Sequence, residues 1–101
     1  MTIIFSTNVL NKLTNKTPPV TESEVLQCFV NQTHVPLIDS REEHLTAPLT
    51  RWFVAETDRG RKLKVIYVPR PDGIYIKSAY DANAKVCCIY NKLARPLFGV
   101  T

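Results

Sequence analysis

The residue types able to do chemistry are concentrated between Arg51 and Tyr80. Arg51, Arg59, Arg61, Lys62, Lys64 and Lys77 are interleaved there with Tyr67, Tyr75 and Tyr80. Guanidinium and ammonium groups hold phosphates, and aromatic rings stack on unpaired bases at ~1–3 kcal/mol each. A sheet face that combines the two suits single-stranded RNA. Metal-free RNA cleavage would draw on the same groups. The ribose 2′-OH attacks the adjacent phosphorus, so a base must take its proton, cations must stabilise the phosphorane, and an acid must protonate the leaving 5′-oxygen. His44 is the natural acid or base, because an imidazole titrates closest to neutrality. Arg51 and Lys64 are the natural phosphorane clamps. Each of these cations and rings, taken singly, is also what a solvated strand face carries.

Other chemistries lack their signatures. The chain has no G-x-x-x-x-G-K-[ST], no G-x-G-x-x-G and no G-x-S-x-G, which leaves nucleotide hydrolysis, dinucleotide binding and α/β-hydrolase chemistry without motif support. His34 and His44 do not have the H-E-x-x-H spacing, and no C-x-x-C occurs, so no metal or other cofactor is expected. Three cysteines with Cys87 and Cys88 adjacent cannot make a secreted disulfide framework. They read as reduced thiols in or near a core.

The elements that must position these groups follow from pattern. Asn8 to Lys16 carries Val9, Leu10 and Leu13 at helical spacing, and Thr17-Pro18-Pro19 ends that helix. Thr21-Glu22-Ser23-Glu24 is a capping box that opens a second helix to about Asn31, with Val25, Cys28 and Phe29 inward. Val35 to Asp39 reads as a short edge strand because of Pro36, and Ser40 to Thr50 as an exposed loop. From Arg51 the period becomes two. Strands are expected over 51–57, 62–68 and 74–80, joined by the turns Asp58-Arg59-Gly60 and Pro71-Asp72-Gly73. Ile74, Ile76, Ser78 and Tyr80 would share one face of the third strand. Trp52, in preference to Phe53, would anchor the core with Val65, Ile76 and Ile89. Asp81 would cap a last helix over 82–94, buried through Val86, Ile89, Tyr90 and Leu93. The expectation is one α+β domain over 1–101: two N-terminal helices, a four-stranded mainly antiparallel sheet and a C-terminal helix.

Length and composition agree. The 101 residues are 45% hydrophobic and 22% charged, the balance of a globular domain rather than a disordered tail. No run approaches the ~18–20 apolar residues of a membrane span, and no signal-like segment opens the chain, so a cytoplasmic protein is expected. Net charge is +4 and uneven. Residues 1–45 hold three basic and five acidic side chains, whereas residues 46–101 hold ten and four. A basic half favours phosphate backbones or an acidic protein partner.

The order of elements resembles the BrnT family, small ribonuclease toxins of the RelE/ParE superfamily, from Phe5 to Tyr90. Phe5, Lys12, Lys16 and Val20-Thr21-Glu22 stand for its opening; Leu37-Ile38-Asp39 and His44 are similar to its Leu-x-Asp-Pro-x-His region. Arg51-Trp52-Phe53-Val54-Ala55 resembles its Arg-aromatic strand, Gly60-Arg61-x-Leu63-x-Val65 its hairpin, and Ile76-Lys77-Ser78-Ala79 its Ile-Ile-Ser-Ala. Tyr80 stands where the family usually has arginine, Tyr75 falls at another such position, and Asn83-Ala84-Lys85 replaces the arginine-rich start of the last helix. The resemblance implies a RelE-like domain, a toxin of a type II toxin–antitoxin system. Its activity would be metal-independent cleavage of mRNA, free or on the ribosome, that inhibits translation, and a protein antitoxin would neutralise it as a hetero-oligomer. His44, Arg51, Lys64 and Tyr80 would carry the reaction, and Arg59, Arg61, Lys62, Tyr67 and Lys77 would bind substrate. The competing class is a non-enzymatic basic module that docks an acidic protein or nucleic acid.

Overall fold

Alternation from Arg51 onward builds the centre of the molecule. The structure, a computed structural model, describes residues 2–39 and 49–97. Among them the order is β1 (Ile3–Ile4), α1 (Thr7–Thr14), α2 (Glu22–Val30), β2 (Leu37–Ile38), β3 (Arg51–Glu56), β4 (Lys62–Arg70), β5 (Gly73–Asp81) and α3 (Ala84–Leu93). The strands form one sheet in the order β1-β5-β4-β3-β2. The β3–β4–β5 meander is antiparallel, as its two turn signals dictate. The expected four-stranded sheet is corrected to a five-stranded mixed one, because Ile3 and Ile4 pair in parallel with Ile74 and Tyr75. The result is a compact α+β domain with three helices among the described residues.

Local chemistry starts and stops the helices. The Ser6 hydroxyl caps α1 by accepting from the Val9 N–H at 3.2 Å. At α2 the capping box forms in full: the Glu24 N–H donates to the Thr21 hydroxyl and the Thr21 N–H to the Glu24 carboxylate. Asn83, two residues beyond the expected Asp81, caps α3 through its side-chain oxygen, because β5 runs on through Asp81 itself.

The helix pair α1 and α2 covers the sheet face that carries Phe53, Ala55, Leu63, Val65, Tyr67, Ile74, Ile76 and Ala79. With Leu13, Val25 and Cys28 these residues make the core. Phe29 on α2 packs edge-on against Phe53 at 4.8 Å between centroids and against Tyr67 at 5.6 Å, the geometry that ring quadrupoles favour. Phe53 is 0% exposed, so it, and not Trp52, anchors the core. Trp52 looks out of the opposite face, where Tyr90 of α3 half covers it at 5.5 Å.

Two further expectations are corrected. A bulge between Ile66 and Tyr67 of the β4–β5 ladder leaves Lys77 as the extra residue of β5, since Ile66 pairs with Ser78 and Tyr67 with Ile76. The alternation therefore changes phase inside β5: Ile74, Ile76 and Ala79 are buried together, while Ser78 and Tyr80 lie on the other face with Tyr75. The expected apolar stripe of α3 reduces to buried Tyr90 and half-buried Val86. Ile89 is 41% exposed and Leu93 65%, because α3 meets the sheet at the Trp52 side rather than lying along it.

Gly60 (φ 83°) and Gly73 (φ 151°) occupy conformations that other residues resist. At Gly73 a Cβ would also lie 2.6 Å from the Thr2 carbonyl oxygen, where β1 docks. In urea unfolding, Gly73→Ala is expected to cost about 1–3 kcal/mol. Phe53→Ala is expected to cost about 3–5 kcal/mol, and Ile89→Ala about 1 kcal/mol or less. Equal losses at Phe53 and Ile89 would contradict the placement of the core.

Candidate nucleic-acid interface

Cross-strand register decides which cations can act together. On β4, Lys62, Lys64, Ile66, Val68 and Arg70 share the face opposite the α1–α2 core. Lys64 lies directly across from Tyr80 on one side and Val54 on the other, which puts it diagonal to Trp52, within reach of a long side chain. Its Nζ sits 4.4 Å from the Trp52 ring centroid and 5.8 Å from that of Tyr80. Lys16, one residue past the C-cap of α1, brings its Nζ 5.4 Å from the same Tyr80 ring. Two ammonium groups and two rings thus form one cluster, with each cation held at a π-face at about 0.5–1 kcal/mol per contact. A phosphate can meet the ammonium groups while a base stacks on a ring. Lys12 steadies the same end of the sheet, donating from Nζ to the Lys77 carbonyl at 3.2 Å.

Of the residues expected to carry the reaction, Lys64 and Tyr80 are together in this cluster. Arg51 is not: it faces the α1–α2 side, paired across β3–β4 with Tyr67. It borders a separate cleft of about 470 Å³ with Thr2, Tyr67 and Gly73. Arg51 and Lys64 therefore cannot clamp one phosphate. His44 lies outside the described residues. Trp52 and Lys16 are members that catalytic reasoning from sequence passed over. The signal for Trp52 was present in the register of the hairpin, whereas that for Lys16 depends on where α1 docks.

The residues expected to bind substrate separate further. Lys62 continues the open face and lines hollows beside α3 with Cys87 and Asn91. Arg59 is exposed in the β3–β4 turn, by Glu24 and Gln27, and Lys77 is exposed at the bulge. Tyr67 is a core residue at 6% exposure. Burial raises its phenol above the ordinary value, and Arg51 opposes that shift.

Arg61 is the largest departure, because it belongs to the framework. Its Nε and one terminal nitrogen grip the Asp81 carboxylate at 2.7 and 2.9 Å. The other terminal nitrogen donates to the Pro19 carbonyl at 2.7 Å and to Glu24 at 3.2 Å, and a last N–H reaches the Pro18 carbonyl at 2.9 Å. All five guanidinium N–H groups are used. Arg61 hydrogen-bonding is the main reason the Asp81 carboxyl lies below its ordinary value. At Glu24 burial pushes the carboxyl up, but the Thr21 N–H and Arg61 outweigh it and hold it low. The Cys28 thiol, buried beside Glu24, is pushed up to about 12, chiefly by that burial, which makes it a poor nucleophile. Tyr90 is likewise pushed up to about 12 by burial, and its hydroxyl donates to the His34 and Val35 carbonyls. Among the described residues no group of three or more His, Cys, Asp or Glu side chains could hold a metal ion, and no helix is long and apolar enough to cross a membrane.

Both Arg61 partners bind protons less readily folded than unfolded, so they contribute stability at neutral pH that is lost as pH falls below their ordinary values of 4.5 and 3.8. Urea unfolding should therefore show a fall in stability on acidification through that window. Arg61→Ala should cost about 1.5–3 kcal/mol at neutral pH and flatten the acid dependence. Arg61→Lys should recover little, because an ammonium cannot reproduce the planar fork. Wild-type stability at Arg61→Ala would show that the knot is not needed.

Comparisons of the chain with protein families, with curated proteins and with solved structures each returned no match.

Proposed function

We propose that this protein is the toxin of a type II toxin–antitoxin system, a metal-independent endoribonuclease that cleaves mRNA and so inhibits translation. The supporting observation is the cluster of Lys16, Trp52, Lys64 and Tyr80 on the open sheet face. It joins phosphate-holding cations to base-stacking rings, the pairing that single-stranded RNA calls for. In the proposed reaction the 2′-oxygen attacks phosphorus and a cyclic phosphate forms as the 5′-oxygen leaves with a proton. Lys64 and Lys16 offset the extra negative charge of the phosphorane. His44 takes the 2′-OH proton, and the leaving 5′-oxygen receives its proton from Tyr80 or, where Tyr80 stacks on a flanking base, from the His44 imidazolium. The family resemblance adds a protein antitoxin, a hetero-oligomer formed with it, and a cytoplasmic location.

One observation favours the second reading, a non-enzymatic basic module that binds nucleic acid or an acidic protein. Arg51 lies across the sheet from Lys64, so fewer cations converge on one phosphate than the resemblance implies.

The assay is purified protein with mRNA, with and without translating ribosomes, in EDTA. Cleavage is expected from wild type. His44→Ala should lower the rate by ~10²–10⁴-fold and Lys64→Ala by ~10²–10³-fold, with a far smaller loss for Arg51→Ala. A wild type that binds RNA without cutting it would establish the binding-module reading instead.

A further inference from the structure

The β5 bulge has a consequence beyond the core. Tyr75 and Tyr80 are an odd and an even residue of one strand, and in a regular ladder they would face opposite ways. The extra residue Lys77 shifts the phase, so that Tyr75 pairs with Val68 and Tyr80 with Lys64, both on the same face of β4. Bulges commonly re-aim side chains in this way. Tyr75 also has its own cation: the Arg70 guanidinium carbon is 5.3 Å from its ring centroid. Its hydroxyl donates to the Asp72 carboxylate, which fixes the ring's orientation. Lys64 and Val68 are four residues apart, so the two tyrosines lie about 13 Å apart along the strand at ~3.3 Å per residue. Half-buried Ile66 and Ser78 lie between them on that face, with Val68, 4% exposed, opposite Tyr75 and exposed Lys77 at the intervening bulge.

We propose that Tyr75 and Arg70 form a second stacking station, in line with the Tyr80, Lys64 and Trp52 station, so that the open face holds two separated bases of one single-stranded nucleic acid. The inference rests on the RNA-binding reading above and adds a footprint to it. About 13 Å exceeds a single stacked step of ~3.4 Å, so a dinucleotide reaches one station and a longer strand reaches both. Stacking on either ring uses only the π-face of a base, so the second station serves RNA and DNA alike. It rejects duplexes, whose bases are already paired.

The test follows quenching of Trp52, the single tryptophan of the chain, on titration with 2′-O-methyl oligouridylate of two and of eight nucleotides. Oligothymidylate of the same lengths and a double-stranded RNA form the other arms. For Tyr75→Ala the expected result is a loss of roughly 5- to 150-fold in affinity for either eight-nucleotide strand. The dinucleotides and the duplex should show no loss. Tyr75→Phe keeps the ring without the hydroxyl and should bind the eight-nucleotide strands within a few-fold of wild type, which separates stacking from the Asp72 contact. Tyr75→Ala binding the longer strands as tightly as wild type would overturn the second station while leaving the RNA-binding reading in place. Losses of equal size for dinucleotide, octanucleotide and duplex would overturn it too. A wild type whose Trp52 signal responds to no strand would instead sink the RNA-binding reading itself.

Discussion

The arrangement of the molecule depends on one guanidinium. Arg61, the residue before β4, ties the β3–β4 hairpin to the Pro18–Pro19 carbonyls, to the nearby first turn of α2 through Glu24, and to the end of β5 through Asp81. Bidentate and charge-assisted contacts of this kind are strong and directional. The Arg61 side chain is 19% exposed against 24% for Glu24 and 49% for Asp81, so the Glu24 contact is the better shielded of the two ion pairs. The knot fixes α2 over the Phe53 and Val65 face and leaves the reverse face to α3 and solvent.

That division explains why similar side chains have different fates. Arg61 and Lys64 are two residues apart on the hairpin, yet one is committed to carboxylates and carbonyls and the other rests on aromatic rings. Tyr67 and Tyr80 both come from the meander. Tyr67 packs beneath Phe29, while Tyr80 lies beside two ammonium groups on the outer face. The Lys77 bulge then gathers Tyr75 onto that outer face. A sheet with one face filled by a helix pair can spend its other face on binding.

The features of the fold that rest on local signals were legible in the sequence. The capping box at Thr21, the two glycine turns and the antiparallel meander follow from residues only a few positions apart. The β1 pairing was hidden, since Ile3 and Ile4 find their partners about seventy residues away and no local pattern marks such a short parallel strand. The phase change inside β5 was hidden as well, because strict alternation cannot register an inserted residue. Trp52 and Phe53 were a choice between two faces, and period two treats them alike. At the site, the residue types were readable and their grouping was not: composition could not reveal that Arg61 is consumed by the framework or that Arg51 and Lys64 look in opposite directions.

The central claim is that the face of Trp52, Lys64, Tyr75 and Tyr80 contacts RNA. Photocross-linking with single-stranded RNA containing 4-thiouridine, followed by mass spectrometry of the peptides, tests it directly. Adducts at Trp52, Tyr75 or Tyr80 are expected, and these should disappear under competition by unmodified strand. Adducts confined to α2 or to the Asp58–Gly60 turn, or no adducts at all, would contradict it.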